Sequence, residues 1–277
     1  MKQYFFIGLL IAIVVIFVIK YAVTERAIEP RPKYENVREY IHQMVFANGI
    51  RSRALNWEVL PIPIYLDLHS ADIRSKIENT MRTIEHNVGV PLFLETNDYR
   101  QAQIFLVTSR TGQERLPDFL TRFLLEVLGS KWLELFQNKA PVMFDAAAYP
   151  QAPDHPCFTQ EFFSDPSTQY DGGNRKPTQM QIFIGGVAEI ENDILNECLI
   201  EELLHAAFFL RDADLTHGKH SIFNQSAHAD RARLPTQFDL CLISELLNGS
   251  FEATALDKMA SSIHRKLTNG ECPVWRN

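Results

Sequence analysis

Apolar positions recur along this chain with different periods, and each period marks a different kind of element. Residues 4–23 (YFFIGLLIAIVVIFVIKYAV) form an almost unbroken apolar run. At about 1.5 Å per residue it is long enough to cross a hydrocarbon core, with Lys20 placed to snorkel. Helical spacing follows near residues 34–46 through Val37, Tyr40, Ile41, Met44 and Val45, and again over 71–88 through Ile73, Ile77, Met81 and Ile84. Gly89 is set to end the second of these helices. Strand-like runs fall at 62–68, 103–108 and 180–184. Between the last two, residues 116–136 pair their apolar positions as a strongly apolar helix, and 138–176 are rich in Pro, Asp, Gln and Gly, too long for an ordinary connection. Two more helices are expected near 235–247 and 253–267. The pattern predicts an anchor at 1–23, a connector at 24–55 carrying an amphipathic helix, and an α+β domain at 56–277 with an insertion at about 112–178.

The stretch 190–214 (IENDILNECLIEELLHAAFFLRDAD) places chemistry inside this apolar frame. Wound at about 100° per residue, it puts Leu195, Leu199, Leu203, Ala206 and Leu210 on one stripe, with Glu202 on its edge and Glu201 and His205 on the next flank. Charges on a helix that must be buried need a partner or a metal ion. Glu-Glu-x-x-His also differs by one residue from the zinc-binding His-Glu-x-x-His. A zinc site takes three protein ligands. His205 is one candidate and Glu201, one turn away, a second, which leaves Glu202 as general base. Asp212, Asp214, His217 and His220 are candidates for the third ligand. Arg211, at the offset where metzincins carry theirs, cannot bind a cation. The plainer reading makes His205 a satisfied core histidine, Glu202 an acceptor for a neighbour such as Arg211, and the later histidines loop decoration.

A formal charge of −7, a pI near 5.7 and the lack of any Lys/Arg stripe interleaved with aromatics argue against nucleic acid as a partner. Behind the apolar run, Thr24-Glu25-Arg26 offers no small-residue cleavage site, so an uncleaved single-pass anchor in the inner membrane is expected. Lys20, Arg26, Arg31 and Lys33 outnumber Lys2 and the amino terminus in front of the run, which by itself favours a cytoplasmic body. The four cysteines, Cys157, Cys198, Cys241 and Cys272, have no Cys-x-x-Cys spacing and fit two disulfides better than a metal cluster. They move the expectation to an extracytoplasmic body, with four buried thiols as the alternative. Of the three possible pairings, Cys157 with Cys198 and Cys241 with Cys272 tie the insertion to the central helix and the tail to the helix carrying Cys241.

Strand, long helix, strand, irregular insertion, strand and a Glu-Glu-x-x-His helix is the element order of zincin-type metallopeptidases, where the motif helix packs under a twisted sheet. More narrowly, the chain resembles a bacterial zincin-like family of unknown function. Cys157, Cys198, Glu201-Glu202-Leu203, Asp212, Ser221-Ile222-Phe223-Asn224 and Asp239 match that family's pattern from about residue 57 to 270. His205 stands where the family more often has Gln. Phe208 stands where it and the metzincins have Gly, at the sharp turn that brings a third ligand round. The resemblance implies a zincin-like, metzincin-like domain with a helical C-terminal part. Together with the anchor and the site read from the residues, the expectation is a membrane-anchored envelope protein acting as a degenerate or atypical Zn²⁺-dependent peptidase, through Glu202 and His205, on a protein or peptide substrate. The alternative is a non-catalytic module that holds an envelope partner in the same cleft or on the 116–136 helix.

Overall fold

A computed structural model describes residues 33–46, 60–68, 71–108, 157–162, 179–184, 192–210, 212–213, 221–224, 232–248 and 256–276, together with 122, 125 and 126. The apolar run at 4–23, all but three residues of the helix expected at 116–136 and most of the insertion lie outside these residues. Among the described residues no helix is long and apolar enough to cross a membrane.

The elements are mixed helix and strand around one small sheet. In chain order they are α1 (Tyr34–Phe46), β1 (Ile62–Asp67), α2 (Ala71–Val88), β2 (Phe93–Glu95), β3 (Ile104–Thr108), β4 (Cys157–Phe162), β5 (Gln179–Ile184), α3 (Asn192–Phe208), α4 (Gln237–Asn248) and α5 (Leu256–Asn269). The sheet order is β2-β1-β3-β5-β4, parallel except for β4, which runs antiparallel to β5 along the edge. Register pairs Tyr65 with Phe105 and Leu106 with Ile182. β1 buries alternate residues, Ile62, Ile64 and Leu66, whereas Ile104–Val107 of the central β3 are all buried. An inner strand of a parallel sheet is covered on both faces, so its sequence reads as a continuous apolar run.

α2 has the predicted bounds, and it turns at Gly89, which adopts φ 82° as its amide meets the Glu85 carbonyl at 2.8 Å. Two strands went unanticipated. β2 is only three residues long, and it is held in place by the Glu85 carboxylate, which accepts from the Leu92 and Phe93 amides at 2.8 Å each. β4 falls in the stretch read as irregular insertion. The helix at Tyr34–Phe46 also differs from expectation: it is no connector. Val37, Tyr40, Ile41, Met44 and Val45 are buried in the core, the helix packs on α5, and the folded unit begins at Tyr34.

The C-terminal part is cross-linked in two ways. Cys241 of α4 is bonded to Cys272 as expected, with 5.2 Å between Cα atoms and a sequence separation of 31. Beyond it, the Asn87 side chain accepts from the Arg276 amide at 2.6 Å and donates to its carbonyl at 2.9 Å. Losing the bond by Cys241→Ala with Cys272→Ala is expected to cost about 2–4 kcal/mol, mainly through a freer unfolded chain. Urea midpoints with and without reductant measure this, and identical midpoints would count against it. Cys198 is disulfide-bonded too. Cys157 begins β4, but its side chain lies outside the described residues.

At the start of α4, Thr236 and Asp239 form a reciprocal capping pair. Asp239 Oδ2 accepts from the Thr236 amide at 2.8 Å, and Thr236 Oγ1 accepts from the Asp239 amide at 3.4 Å. Burial pushes the Asp239 carboxyl up, donors from Ser221, Thr236 and Ile222 pull it part of the way back, and it titrates at about 6. Tyr40 of α1 faces it, pushed up to about 12 by its own burial and by the Asp239 charge. The folded form therefore holds this proton more tightly than the unfolded chain between about pH 4 and 6. Stability from this group falls as pH rises through that window, by on the order of 3 kcal/mol, and is level above it. Asp239→Asn should remove the slope. Urea midpoints taken across the window check this, and equal slopes in both proteins would refute it.

Candidate metal centre

α3 runs through the middle of the domain. Beyond the predicted stripe, Cys198, Ile200, Leu204, Ala207 and Phe208 are also buried, so the helix is enclosed on nearly every side. Glu201 and His205 project from it with only 4 % and 6 % of their surface exposed. Their four-residue spacing stacks them one turn apart.

The helix stops at Phe208, earlier than the periodicity predicts, because Phe209 adopts φ 52°. A left-handed turn at a non-glycine residue costs about 1–2 kcal/mol. Here it is offset by full burial of the Phe209 ring. The sharp turn that Phe208 would have denied is thus made one residue later. It folds the chain back over the last helical turn, and two contacts to His205 result. Nδ1 meets the Leu210 carbonyl at 2.8 Å, and Nε2 meets Asp212 Oδ1 at 3.1 Å.

These contacts settle what His205 can do. A carbonyl only accepts, so Nδ1 carries a proton and donates it, and Nε2 is left facing the cluster. Nε2 then either donates a second proton to Asp212 or offers a lone pair to a cation. Burial opposes charge on the ring, but the hydrogen bond and charge of Asp212, with Glu202 and Glu201 behind them, outweigh it and raise His205 to about 10. Glu202 is shifted upward by burial, against the pull of His205 and of Thr159 on β4. The Thr159 hydroxyl also donates to the Glu202 carbonyl at 3.2 Å, which ties the edge strand to the helix.

Ligand atoms of Glu201, His205 and Asp212 all lie within 4.8 Å of one another. Around a tetrahedral ion, ligand atoms at about 2.1 Å from the metal sit about 3.4 Å apart, so modest side-chain rotation closes the group into a triad. Among the described residues, the carboxylates of Glu201, Glu202 and Asp212 all act on the His205 imidazole. The group can hold a metal ion. Asp212, at 32 % side-chain exposure, is its open side.

Of the residues singled out from the sequence, Glu201, His205 and Asp212 come together and Glu202 flanks them. Arg211, Asp214, His217 and His220 lie outside the described residues. Three contributors were missed as such. Leu210 was read only as part of the apolar stripe, Thr159 lay in apparent loop, and Phe223, whose ring stands on that of His205 at 4.8 Å and 66°, was noticed as part of a phrase without a role. Residues 157–162 (CFTQEF) do not alternate polar with apolar positions, so periodicity offered no signal for β4. A cavity of about 670 Å³ between α2, α3 and the C-terminal tail, lined by Lys76, Thr80, Asn196, Arg233 and Trp275 among others, shares no residue with the cluster. No family model matches this chain, and no characterised protein matches it either.

Proposed function

We propose that this chain is a membrane-anchored, zincin-like metalloprotein of the bacterial cell envelope, acting as an atypical metal-dependent peptidase. The observation that carries the reading is the convergence of Glu201, His205 and Asp212 on a buried helix, with the Glu202 carboxylate beside them. Element order supports the zincin-like scaffold: strand, long helix, further strands, then a motif helix packed against β4 and β5. Zn²⁺ suits a set of one imidazole nitrogen and two carboxylate oxygens, with a position left for substrate. Glu201, His205 and Asp212 would hold a divalent ion, which when bound would supply Lewis-acid polarisation of a peptide carbonyl. Glu202, its pKa shifted upward, takes the proton of the attacking water and passes it to the leaving amine. His205 holds its ligand nitrogen forward because Leu210 fixes the opposite one.

The test is elemental analysis of the full chain, purified in detergent without chelator, together with cleavage of casein-like peptides. Stoichiometric zinc with hydrolysis is expected. A protein that retains no divalent ion after zinc loading sinks the proposal.

Cys241–Cys272 supports an oxidising compartment for the body, with residues 4–23 as the anchor. Alkaline phosphatase fused after Asn277 should be active, and an inactive fusion would place the body in the cytoplasm. A second reading is favoured by one contact. The His205–Asp212 pair at 3.1 Å closes the cluster on itself, so a metal-free fold is self-consistent, and the scaffold could then serve as a non-catalytic module for a protein or peptide partner. Metal content separates the two.

A further inference from the structure

We propose that Asp239 is a positioning residue for the metal cluster, acting through Ser221, Ile222 and Phe223 on both His205 and Asp212. This rests on the metal-binding reading of that cluster. Asp239 belongs to α4 and is fully buried, and its carboxylate collects four donors. Oδ2 accepts from the Thr236 amide at 2.8 Å, the Thr236 hydroxyl at 3.0 Å and the Ile222 amide at 3.1 Å. Oδ1 accepts from the Ser221 hydroxyl at 2.6 Å. Capping α4 needs only the Thr236 contacts. The Ser221 and Ile222 contacts are surplus to a cap and reach into another segment.

That segment is a short turn whose parts are each fixed. The Ser221 hydroxyl gives its proton to Asp239, and its oxygen accepts from the Phe223 amide at 3.1 Å, so it has no rotational freedom left. Phe223 is thereby placed twice over. Its ring stands on the His205 ring at 4.8 Å, and its carbonyl accepts from the Ala213 amide at 2.8 Å, one residue beyond Asp212. A parallel bridge between Ala213 and Asn224 extends the same contact. One carboxylate, outside the cluster, therefore sets the orientation of one ligand ring and the location of a second ligand that follows a helix end. Ligands for a metal must be held to within about 0.5 Å, and outer partners commonly supply that precision.

The experiment uses the full chain in detergent, with Zn²⁺ affinity measured by competition and the Co²⁺ absorption spectrum as a reporter of coordination geometry. Ser221→Ala, Asp239→Asn and Phe223→Leu are compared with Thr236→Ala, which loses the cap and one of the four donors to Asp239 but keeps the Ser221 and Ile222 contacts that reach the cluster. The first three are expected to bind Zn²⁺ about 10–100-fold more weakly and to shift the Co²⁺ bands. Thr236→Ala is expected to lower the melting temperature while affinity and spectrum stay as in the wild type. If Asp239→Asn does not fold, Ser221→Ala and Phe223→Leu decide the matter. Variants that lose melting temperature but keep wild-type affinity and spectrum show the network to be structural only, and overturn the inference while the metal reading stands. A wild-type protein that binds neither ion overturns the metal reading, and this inference with it.

Discussion

On the metal-binding reading, replacing His205 with Ala is expected to leave the purified protein without its ion, and on either reading to make the metal-free fold less stable by about 3 kcal/mol. The first effect follows from the donor set, since among the described residues Glu201 and Asp212 then leave two carboxylate ligands and no nitrogen. The second follows from what the imidazole touches. Its loss strips the Leu210 carbonyl and Asp212 of the donors at 2.8 and 3.1 Å, and leaves a gap against the Phe223 ring. Part of this is softened by water, because Asp212 is partly exposed. Elemental analysis and urea denaturation, each on wild type and variant, check the two halves separately. A variant that keeps its zinc would remove His205 from the ligand set. One that loses stability from a wild type already free of metal favours the non-catalytic reading.

Glu202→Gln should separate binding from chemistry. Glu202 is not one of the three convergent ligands, so the amide is expected to leave metal content unchanged. If Glu202 is the base of a peptidase, as proposed, a group of the same shape that accepts no proton cannot replace its carboxylate, and hydrolysis should fall by about 10²–10⁴-fold. Folding should not suffer, since the substitution removes a carboxylate whose ionisation burial already opposes. The measurement is kcat on a fluorogenic peptide at saturating zinc, beside a melting curve. Hydrolysis that survives at more than a tenth of the wild-type rate would falsify the role of Glu202 as base.

Much of the fold could be read from the chain because most elements carry a clear period. α2 is amphipathic with an end signal at Gly89, and its bounds came out residue for residue. α1 shows why periodicity is not enough. Its apolar stripe says that one face is covered, but not that α5, more than two hundred residues away, covers it. The helix carrying the cluster was legible from a conflict, carboxylates and an imidazole in a segment too apolar to expose. Asp212 was not separable from Asp214, His217 and His220, because the choice depends on where the helix ends. That point is set by a left-handed phenylalanine, which no propensity anticipates. The phrase at 221–224 stood out as a string of residues, yet its function lies in hydrogen bonds to a carboxylate on another element.

The packing of α1 on α5 has a consequence for biogenesis. The first helix of the folded unit finds its cover in the last, and about 210 residues must be made in between, which at about 5–20 residues per second takes on the order of ten to forty seconds. Throughout that interval Val37, Ile41 and Met44 have no finished core to enter. The domain cannot close vectorially as it emerges. It closes in one late, long-range step of high contact order, and until then these apolar side chains stay open to association.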